Sequence, residues 1–225
     1  MEIIIKNFTK ELSNNLVLDN VNLNLKSGNI YGFVGKNGSG KTMLMRAICG
    51  LILPTSGYVE IDGKIIGKDI SFPDSVGVLI ENPGFISHYS GFKNLKVLAQ
   101  IKNKISDDEI IETIKKVGLD PNDKKSFRKY SLGMKQKLGI AAAIMENPEL
   151  LILDEPFNGL DEDSLDKVRE LILDSKNENK IIIMSCHDSE EIKNICDEIV
   201  EIKFGKIVNI DNNKKREDEN EEKNE

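Results

Sequence analysis

The chain has 225 residues, of which 39% are hydrophobic and 31% are charged, and its 31 basic and 38 acidic residues give a formal net charge of −7. These values are typical of a soluble globular protein of one or two domains, which buries a core without disulfides or bound metals. The acidic balance disfavours unspecific binding to nucleic acid or to anionic lipid.

The three cysteines include no CxxC pair. This pattern disfavours a disulfide framework and a cysteine zinc site, and it is typical of a reducing cytosol. The N-terminal residues lack the apolar region of a signal peptide, and no apolar run approaches the roughly 20 residues that span a bilayer. We therefore expect a cytosolic protein that inserts nothing into lipid and meets a membrane only through a partner.

Segments near the N-terminus alternate apolar and polar residues, which predicts a small antiparallel sheet. Its expected strands lie near Glu2–Asn7, Asn22–Lys26, Tyr58–Ile61 and Lys64–Ile66. The pair Asp62-Gly63 is a favourable hairpin turn between the last two strands.

Short apolar runs then alternate with amphipathic helical stretches, which predicts an α/β fold with a mostly parallel sheet. Asn29–Val34 is a predicted strand, and Lys41–Cys49 is a predicted helix closed by Gly50. A capping box at Ser106–Glu109 begins a helix that we expect to end at Gly118.

The later part of the chain continues this alternation. A helical stripe runs from Leu138 to Met145 and stops at Asn147-Pro148. Leu150–Leu153 and Ile181–Met184 are unbroken apolar runs, as expected of strands covered on both faces.

A glycine-rich segment between the first parallel strand and its helix matches the phosphate-loop pattern. Its glycines let backbone N–H groups surround phosphate oxygens, and the start of the helix adds positive charge. Lys41 would reach the β- and γ-phosphates, and the Thr42 hydroxyl would bind Mg²⁺. The alternative, a glycine-rich turn with a chance Lys-Thr pair, is disfavoured by the strand and helix around it. The predicted phosphate-binding residues are Gly35, Lys36, Asn37, Gly38, Ser39, Gly40, Lys41, Thr42 and Met43.

Two acids follow the apolar run Leu150–Leu153. Because ligands of open α/β sheets bind outside the carboxyl ends of the strands, we expect Asp154 and Glu155 to face the phosphate loop. Asp154 would hold Mg²⁺ through water, and Glu155 would act as general base on the attacking water. The alternative is an ordinary solvated strand end.

One of the two histidines, His187, comes at the end of the next predicted strand and could reach the γ-phosphate. Taken alone, a histidine is more often structural than catalytic. His88 has no comparable placement and is expected to be structural.

The segment Tyr130–Gln136, with the sequence YSLGMKQ, opens a helix with Ser131 as its N-cap. Together with the other motifs and their order, this segment resembles the LSGGQ signature of ATP-binding-cassette (ABC) ATPases. The signature follows the phosphate loop by about 90 residues, and Asn158–Asp161 follows the two acids. The resemblance covers Glu2 to about Ile210.

The resemblance implies an α/β fold, namely a P-loop (RecA-like) ABC ATPase core with a small antiparallel β subdomain and an inserted helical subdomain. It implies one nucleotide-binding domain over residues 1–211, with its core at about 1–80 and 148–211 and its helical subdomain at about 82–147.

In this family two copies close face to face around two molecules of ATP with Mg²⁺. The signature residues Ser131, Gly133 and Met134 would then meet the γ-phosphate held by the other copy. Asp161 matches the D-loop that couples the two sites. The resemblance makes Glu155 the catalytic glutamate and His187 the switch histidine.

Three departures from the family pattern are visible. The signature has Leu132 and Met134 around a single Gly133, which predicts weakened capping. Leu12 stands where an aromatic residue normally stacks on adenine. Glu81 replaces the glutamine of the coupling loop, where its carboxylate could join Thr42 and Asp154 as a Mg²⁺ ligand.

The Glu81 substitution and the loop after it look like the branch that exports lantibiotics and bacitracin-like peptides. The leading hypothesis is therefore the ATPase subunit of a bacterial exporter that confers self-protection or resistance. It would form a dimer, a homodimer in the simplest case, and bind integral membrane permease subunits at the cytoplasmic face of the membrane. One alternative is a soluble ABC ATPase, for example in iron–sulfur assembly. Another is a nucleotide-gated regulatory module, which an intact Glu155 and His187 disfavour.

The last stretch, residues 212–225, holds ten charged residues and no apolar one. Such a segment cannot bury a hydrophobic face, which predicts a solvated tail. A tail that binds something specific is the alternative.

Overall fold

The computed structural model describes residues 1–81, 83–187 and 192–213. They fall into two compact units. The first unit holds Met1–Ser75 and the chain from Lys176 onward, and the second holds Val76–Ser175. The domain boundaries inferred from the family resemblance stay a prediction.

The described residues form the following strands and helices in chain order. They are β1 (Glu2–Leu12), β2 (Asn15–Lys26), β3 (Asn29–Val34), α1 (Lys41–Ile48), β4 (Ser56–Ile61), β5 (Lys64–Ile65), β6 (Val76–Leu79), α2 (Gly91–Lys102), α3 (Asp107–Lys116), a 3₁₀ turn (Phe127–Lys129), α4 (Leu132–Ile144), β7 (Leu150–Leu153), α5 (Glu162–Asp174), β8 (Ile181–Cys186), β9 (Glu198–Lys203) and β10 (Lys206–Asn212).

The first unit contains the predicted antiparallel sheet, with strand order β2-β1-β4-β5. Its hairpin turn is at Asp62-Gly63, where both residues have positive φ, 47° and 79°. Positive φ at both central residues is the geometry of a type I′ turn, so the hairpin prediction is confirmed. Strands β1 and β2 are longer than predicted. Register shifts interrupt their pairing after Ile5, and Asn7 and Asn20 take positive φ there, so the strands continue past the break in alternation.

The first unit also contains strands in the order β10-β9-β3-β8, in which β3 is parallel to both β8 and β9. Strand β8 is buried along its whole length, as the apolar run Ile181–Met184 predicted for a strand covered on both faces. A Cβ on Gly32 would lie 2.5 Å from Ile192 Cδ1 and 2.9 Å from Cys196 Sγ, so residues 192–196 pack directly on this sheet. The three cysteines are buried thiols, and burial raises the pKa of Cys49 to about 12.

The second unit is built around the parallel pair β6 and β7, with α4 packed against both. Glycines permit this close approach, because a Cβ on Gly77 would lie 1.8 Å from the Ala143 carbonyl oxygen. A Cβ on Gly139 would likewise lie 2.7 Å from Leu79 Cδ1. The carboxyl ends of β6 and β7 therefore lie side by side, next to the helix that carries the predicted signature.

The predicted capping box of α3 is confirmed. The Glu109 carboxylate accepts from the Ser106 N–H at 2.8 Å, and the Ser106 hydroxyl accepts from the Glu109 N–H at 3.3 Å. None of the helices among the described residues has the length and apolar character that crossing a membrane requires.

Candidate functional site

In the first unit, the predicted phosphate loop connects β3 to α1, as the sequence indicated. Gly38 and Gly40 have φ of 76° and 112°, a region that L-residues with a side chain rarely adopt. A Cβ on Gly35 would lie 2.2 Å from the Ile202 carbonyl oxygen and 2.6 Å from Ser39 Oγ. The loop can therefore hold this tight path only with glycine at these positions.

Lys41 is the first residue of α1, and its side chain is 5% exposed. Its ammonium donates to the Gly35 carbonyl at 2.6 Å and to the Lys36 carbonyl at 3.3 Å. These bonds fold the charged group back over the loop. A buried cation therefore lies against the loop, and glycine-rich loops of this kind bind phosphate through their backbone N–H groups.

Two further observations fit an anionic ligand at this loop. In the described part of the chain no side chain caps α1, since its N-cap is Gly40, and its first turn carries no acid. The positive end of the helix dipole is thus left for a ligand. Ser39 Oγ is buried and has no hydrogen-bond partner among the described residues. A phosphate oxygen would satisfy both features.

The hairpin between β9 and β10 ties the phosphate loop to the antiparallel sheet. The Gly205 N–H donates to the Ser39 carbonyl at 2.8 Å, and the Gly205 carbonyl accepts from the Asp19 N–H at 2.9 Å. Lys206 forms an ion pair with Asp19 at 2.9 Å. The neighbouring Phe204 is 92% exposed although these bonds fix its backbone.

A cavity of about 700 Å³ lies beside the loop in the first unit. Residues from Val34 to Ser39 form one wall, His187 lies at another, and the β9–β10 hairpin closes it. The structure thus places His187 beside the loop, at the end of β8. The roles predicted for Thr42 and Met43, which open α1 next to Lys41, stay predictions.

In the second unit, the predicted acids lie at the carboxyl ends of the paired strands β6 and β7. Leu79 is paired with Leu153, and the Asp154 N–H donates to the Leu79 carbonyl at 2.7 Å. Glu81 lies two residues after the end of β6, so the three carboxylates follow the carboxyl ends of this strand pair. Glu81 and Glu155 both have positive φ, 58° and 50°, so each lies at a sharp turn of the backbone.

Glu155 is held by two side-chain amides. Gln136 Nε2 donates to the Glu155 backbone carbonyl at 2.9 Å, and Asn158 Nδ2 donates to the Glu155 carboxylate. Sequence reasoning placed Gln136 in the signature and Asn158 in the D-loop, but it did not find that both contact Glu155. In the sequence, only the order of the motifs could have suggested these two contacts with Glu155.

The predicted signature opens α4. The Ser131 hydroxyl accepts from the Met134 N–H at 3.2 Å, which confirms Ser131 as the N-cap. A Cβ on Gly133 would lie 2.8 Å from the Gly159 carbonyl oxygen, so the helix start packs against the loop after Glu155. Ser131 itself is exposed at this helix end.

Asp161 is the N-cap of α5, and its carboxylate accepts from the Ser164 N–H at 2.9 Å. Hydrogen bonds from Ser164 lower the pKa of Asp161, with a smaller contribution from the charge of Lys137. The carboxylate thus has a structural partner within its own chain, while its predicted D-loop role stays a prediction.

Two other sequence predictions concern the surroundings of the site. Leu12, at the predicted adenine position, is 42% exposed at the end of β1. The described residues contain no group of three or more His, Cys, Asp and Glu side chains that could hold a metal ion. The predicted binding of Mg²⁺ by Thr42, Asp154 and Glu81 stays a prediction.

Comparison with known proteins identifies the family. The model of the ABC transporter family matches residues 18–158. The uncharacterized ABC transporter ATP-binding protein YybJ of Bacillus subtilis (strain 168) is 45% identical over 89% of this chain and 92% of its own. The bacitracin transport ATP-binding protein BcrA of Enterococcus faecalis is 41% identical over 92% of this chain and 69% of its own. The lantibiotic transport ATP-binding protein SrtF of Streptococcus pyogenes is 37% identical over 91% of this chain and 88% of its own.

Solved structures show the same fold. A dimeric ATP-binding cassette in a post-hydrolysis state, bound to ADP and Pi, superposes with a TM-score of 0.83. It is 23% identical and covers 93% of this chain and 98% of its own. The predicted α/β fold of an ABC ATPase is confirmed.

The chain belongs to the ABC transporter family. It is an ABC transporter ATPase subunit, an enzyme that hydrolyses ATP. Both the family and the enzymatic activity were predicted from the ordered motifs.

Proposed function

We propose that this chain dimerises around two Mg-ATP and powers export of an antimicrobial peptide through separate membrane subunits. The observation that carries the Mg-ATP part of the proposal is the buried Lys41 folded over a loop that ends at the start of α1, where no side chain caps the helix. This arrangement suits the polyphosphate of a nucleotide, because charge and backbone donors converge on one place.

The proposed roles of the residues follow from their chemistry. Lys41 neutralises the β- and γ-phosphates, and His187 contacts the γ-phosphate. Mg²⁺, when bound, would be held by Thr42, Asp154 and Glu81 and would neutralise charge on the phosphates.

Glu155 would accept a proton from the attacking water. Its carboxylate accepts from Asn158 and its backbone carbonyl from Gln136, so its position is fixed from two sides. Such preorganisation favours catalysis by a general base, because no side chain has to be ordered during the reaction.

The exposed start of α4 supports dimerisation. Ser131 is at the surface, and its helix has no acid in the first turn. A helix end of this kind attracts an anion from outside the chain. We therefore propose that Ser131, Gly133 and Met134 cap the nucleotide of a second copy, with Asp161 nearby in the D-loop.

The proposed cargo rests on two relatives, whose names describe bacitracin transport and lantibiotic transport. Both are similar to this chain over about nine-tenths of its length. Export and self-protection of the cell are the corresponding proposals here. Permease subunits would hold the chain at the cytoplasmic face of the membrane, with Glu81 in the loop that couples ATP binding to them.

The test is to tag a Glu155→Gln variant, trap it with Mg-ATP in solubilised native membranes and identify the proteins that co-purify. We expect integral membrane proteins with several spans, in the presence of ATP. The matched control is Glu162→Gln, which changes an exposed acid in the first turn of α5. Recovery of soluble proteins alone would contradict the transporter proposal and favour a soluble ABC ATPase.

The cargo needs a second experiment. Cells that lack the gene should become more sensitive to bacitracin-like or lantibiotic peptides, and the wild-type gene should restore resistance while Glu155→Gln should not. Unchanged sensitivity to both peptide classes would contradict the export proposal and leave the ATPase assignment intact.

A further inference from the structure

The dipeptide Asn-Gly occurs twice in the chain, at Asn37-Gly38 in the phosphate loop and at Asn158-Gly159 after the acidic strand. We propose that Asn37 is a site of non-enzymatic deamidation, through which the phosphate loop acquires a carboxylate as the protein ages. The modification itself is independent of the proposed function. Its consequence, weaker binding of ATP, rests on that function.

Deamidation at an Asn-Gly pair is an intramolecular substitution. The backbone nitrogen of Gly38 loses its proton and attacks Cγ of Asn37, a C–N bond forms, and the side-chain nitrogen leaves as ammonia. Water then opens the succinimide ring at one of its two carbonyls, which leaves an aspartate or an isoaspartate at position 37. In sum, an amide and a water become a carboxylate and an ammonium ion. Because glycine has no Cβ, little hinders the approach of its nitrogen.

The structure leaves Asn37 and Gly38 unrestrained, since both are exposed at the centre of a turn. The Ser39 N–H closes this turn by donating to the Lys36 carbonyl at 3.0 Å. Within the described part of the chain, the Asn37 side chain and the Gly38 N–H make no hydrogen bond. A Cβ on Gly38 would meet nothing within 4 Å. Neither packing nor a hydrogen bond therefore opposes the rotation that brings the reacting atoms together.

The pair Asn158-Gly159 is also exposed, but its atoms are held in place. Asn158 Nδ2 donates to the Glu155 carboxylate, and the Asn158 N–H donates to the Glu155 carbonyl at 3.2 Å. A Cβ on Gly159 would lie 2.6 Å from Leu132 Cδ2, so this glycine packs against α4. A hydrogen bond to a charged group that has to break before ring closure slows the reaction roughly tenfold or more. Asn158 should therefore deamidate more slowly than Asn37.

Either product at position 37 would oppose phosphate binding. One repulsive pair of charges at about 4 Å in water corresponds to roughly a fivefold change in a dissociation constant. Isoaspartate also adds a main-chain carbon to the loop. The loop has no room for this at Gly35, where an added Cβ would lie 2.2 Å from the Ile202 carbonyl oxygen. We expect the aspartate product to bind Mg-ATP about fivefold more weakly and the isoaspartate product to bind it more weakly still.

A bound nucleotide should protect Asn37. In glycine-rich phosphate loops the backbone N–H groups donate to phosphate oxygens. A Gly38 N–H that donates to a phosphate keeps the proton that ring closure has to remove. The loop should therefore age mainly while it holds no nucleotide.

The test is peptide mapping by mass spectrometry of the full-length chain after incubation in mild alkali. Deamidation changes the peptide mass by the difference between an amide and a carboxyl group. We expect the product to accumulate at Asn37 roughly tenfold faster than at Asn158. Mg²⁺ with a non-hydrolysable ATP analogue should slow the reaction at Asn37. Equal rates at the two asparagines would overturn the proposal, as would the absence of deamidation at Asn37.

A variant tests whether the contacts of Asn158 cause the difference. Glu155→Ala removes the carboxylate that accepts from Asn158 Nδ2, so deamidation at Asn158 should become faster while the rate at Asn37 stays the same. The matched control is Glu162→Ala, an exposed acid in the first turn of α5, which should change neither rate. An unchanged rate at Asn158 in Glu155→Ala would overturn the structural explanation.

The consequence for ATP is measured as equilibrium binding of Mg-ATP to Asn37→Asp, which has the charge of the aspartate product. The matched control is Asn179→Asp, an exposed position before β8 at the opposite edge of the sheet, which should bind like wild type. Equal affinity of the two variants would overturn the predicted loss of binding. If fresh wild type does not bind ATP, the proposed function fails, whereas the peptide map still measures the modification of Asn37.

Discussion

Gln136, in the second turn of α4, donates a hydrogen bond of 2.9 Å from its side-chain amide to the backbone carbonyl of Glu155. The helix that opens with the signature is thereby connected to the acidic end of β7 within one unit. Any displacement of α4 would move the backbone of Glu155 as well.

Gln136→Ala should lower the rate of ATP hydrolysis while leaving ATP affinity nearly unchanged. A hydrogen bond of this kind contributes about 0.5–1.5 kcal/mol, which corresponds to a decrease in kcat of roughly two- to tenfold. Steady-state kinetics with wild type and Gln100→Ala, an exposed glutamine of α2, provide the comparison. A change in KM alone would contradict the positioning of Glu155 by Gln136.

Glu155→Gln should reduce hydrolysis by about 10²- to 10⁴-fold, because glutamine cannot accept the proton of the attacking water. Glutamine keeps an oxygen that can accept from Asn158, so the loop should keep its shape. Single-turnover hydrolysis and ATP binding, measured on the same preparation, separate the two effects. If the Glu155→Gln variant hydrolyses ATP as fast as the control variant Glu162→Gln, Glu155 is not the general base.

Lys41→Ala should weaken ATP binding by roughly 10- to 100-fold, since hydrogen bonds to a charged group contribute about 1.5–3 kcal/mol. The substitution also leaves the carbonyls of Gly35 and Lys36 without their partner. Titration with a fluorescent ATP analogue measures the loss. Lys64→Ala, at an exposed position of β5, should bind like wild type, and equal affinity of both variants would be evidence against Lys41 as a phosphate ligand.

Gly77→Ala should destabilise the second unit strongly, because the added Cβ would lie 1.8 Å from the Ala143 carbonyl oxygen. Overpacking of this kind costs about 1–3 kcal/mol or more. Gly84→Ala is the matched control, since nothing lies within 4 Å of its added Cβ. Urea unfolding of both variants tests the prediction, and equal midpoints would show that α4 can move away from β6.

The stability of the protein should depend on the ionisation of Asp161 in acid. Hydrogen bonds from Ser164 lower its pKa in the folded state. A carboxyl with a depressed folded pKa stabilises the fold above its unfolded pKa of about 3.9, and this contribution is lost as the pH falls through the folded pKa. Asp161→Asn retains an N-cap oxygen but does not titrate.

Denaturant unfolding at several pH values below about 5 should therefore show a smaller loss of stability for Asp161→Asn than for wild type. The two proteins should have similar pH dependence near neutrality, where Asp161 stays ionised. Parallel curves through the acidic range would show that the Ser164 bonds do not persist in solution.

Features determined by local chemistry were predictable from the sequence. The Asp62-Gly63 turn and the Ser106–Glu109 capping box depend on residues within four positions of each other, and both form as expected. The phosphate loop is equally local, because the strand, the glycines and the helix are contiguous.

Features that depend on packing were not predictable in this way. The contact of Gln136 with Glu155 joins residues 19 positions apart, and it requires α4 to lie close against β6. The extra length of β1 and β2 depends on bulges at Asn7 and Asn20, which disrupt the alternation that marks a strand. Such contacts follow from the tertiary fold and leave no local pattern.

The contact of Gly133 with the Gly159 carbonyl oxygen explains which part of the signature can vary. Position 133 has no room for a side chain, whereas Leu132 is 63% exposed and Met134 is half-buried. Divergent signatures should therefore match a pattern of serine, any residue and glycine at the start of a helix. The same chain should also have a glycine shortly after the strand that ends in the two acids. A search for two consecutive glycines would miss chains of this kind.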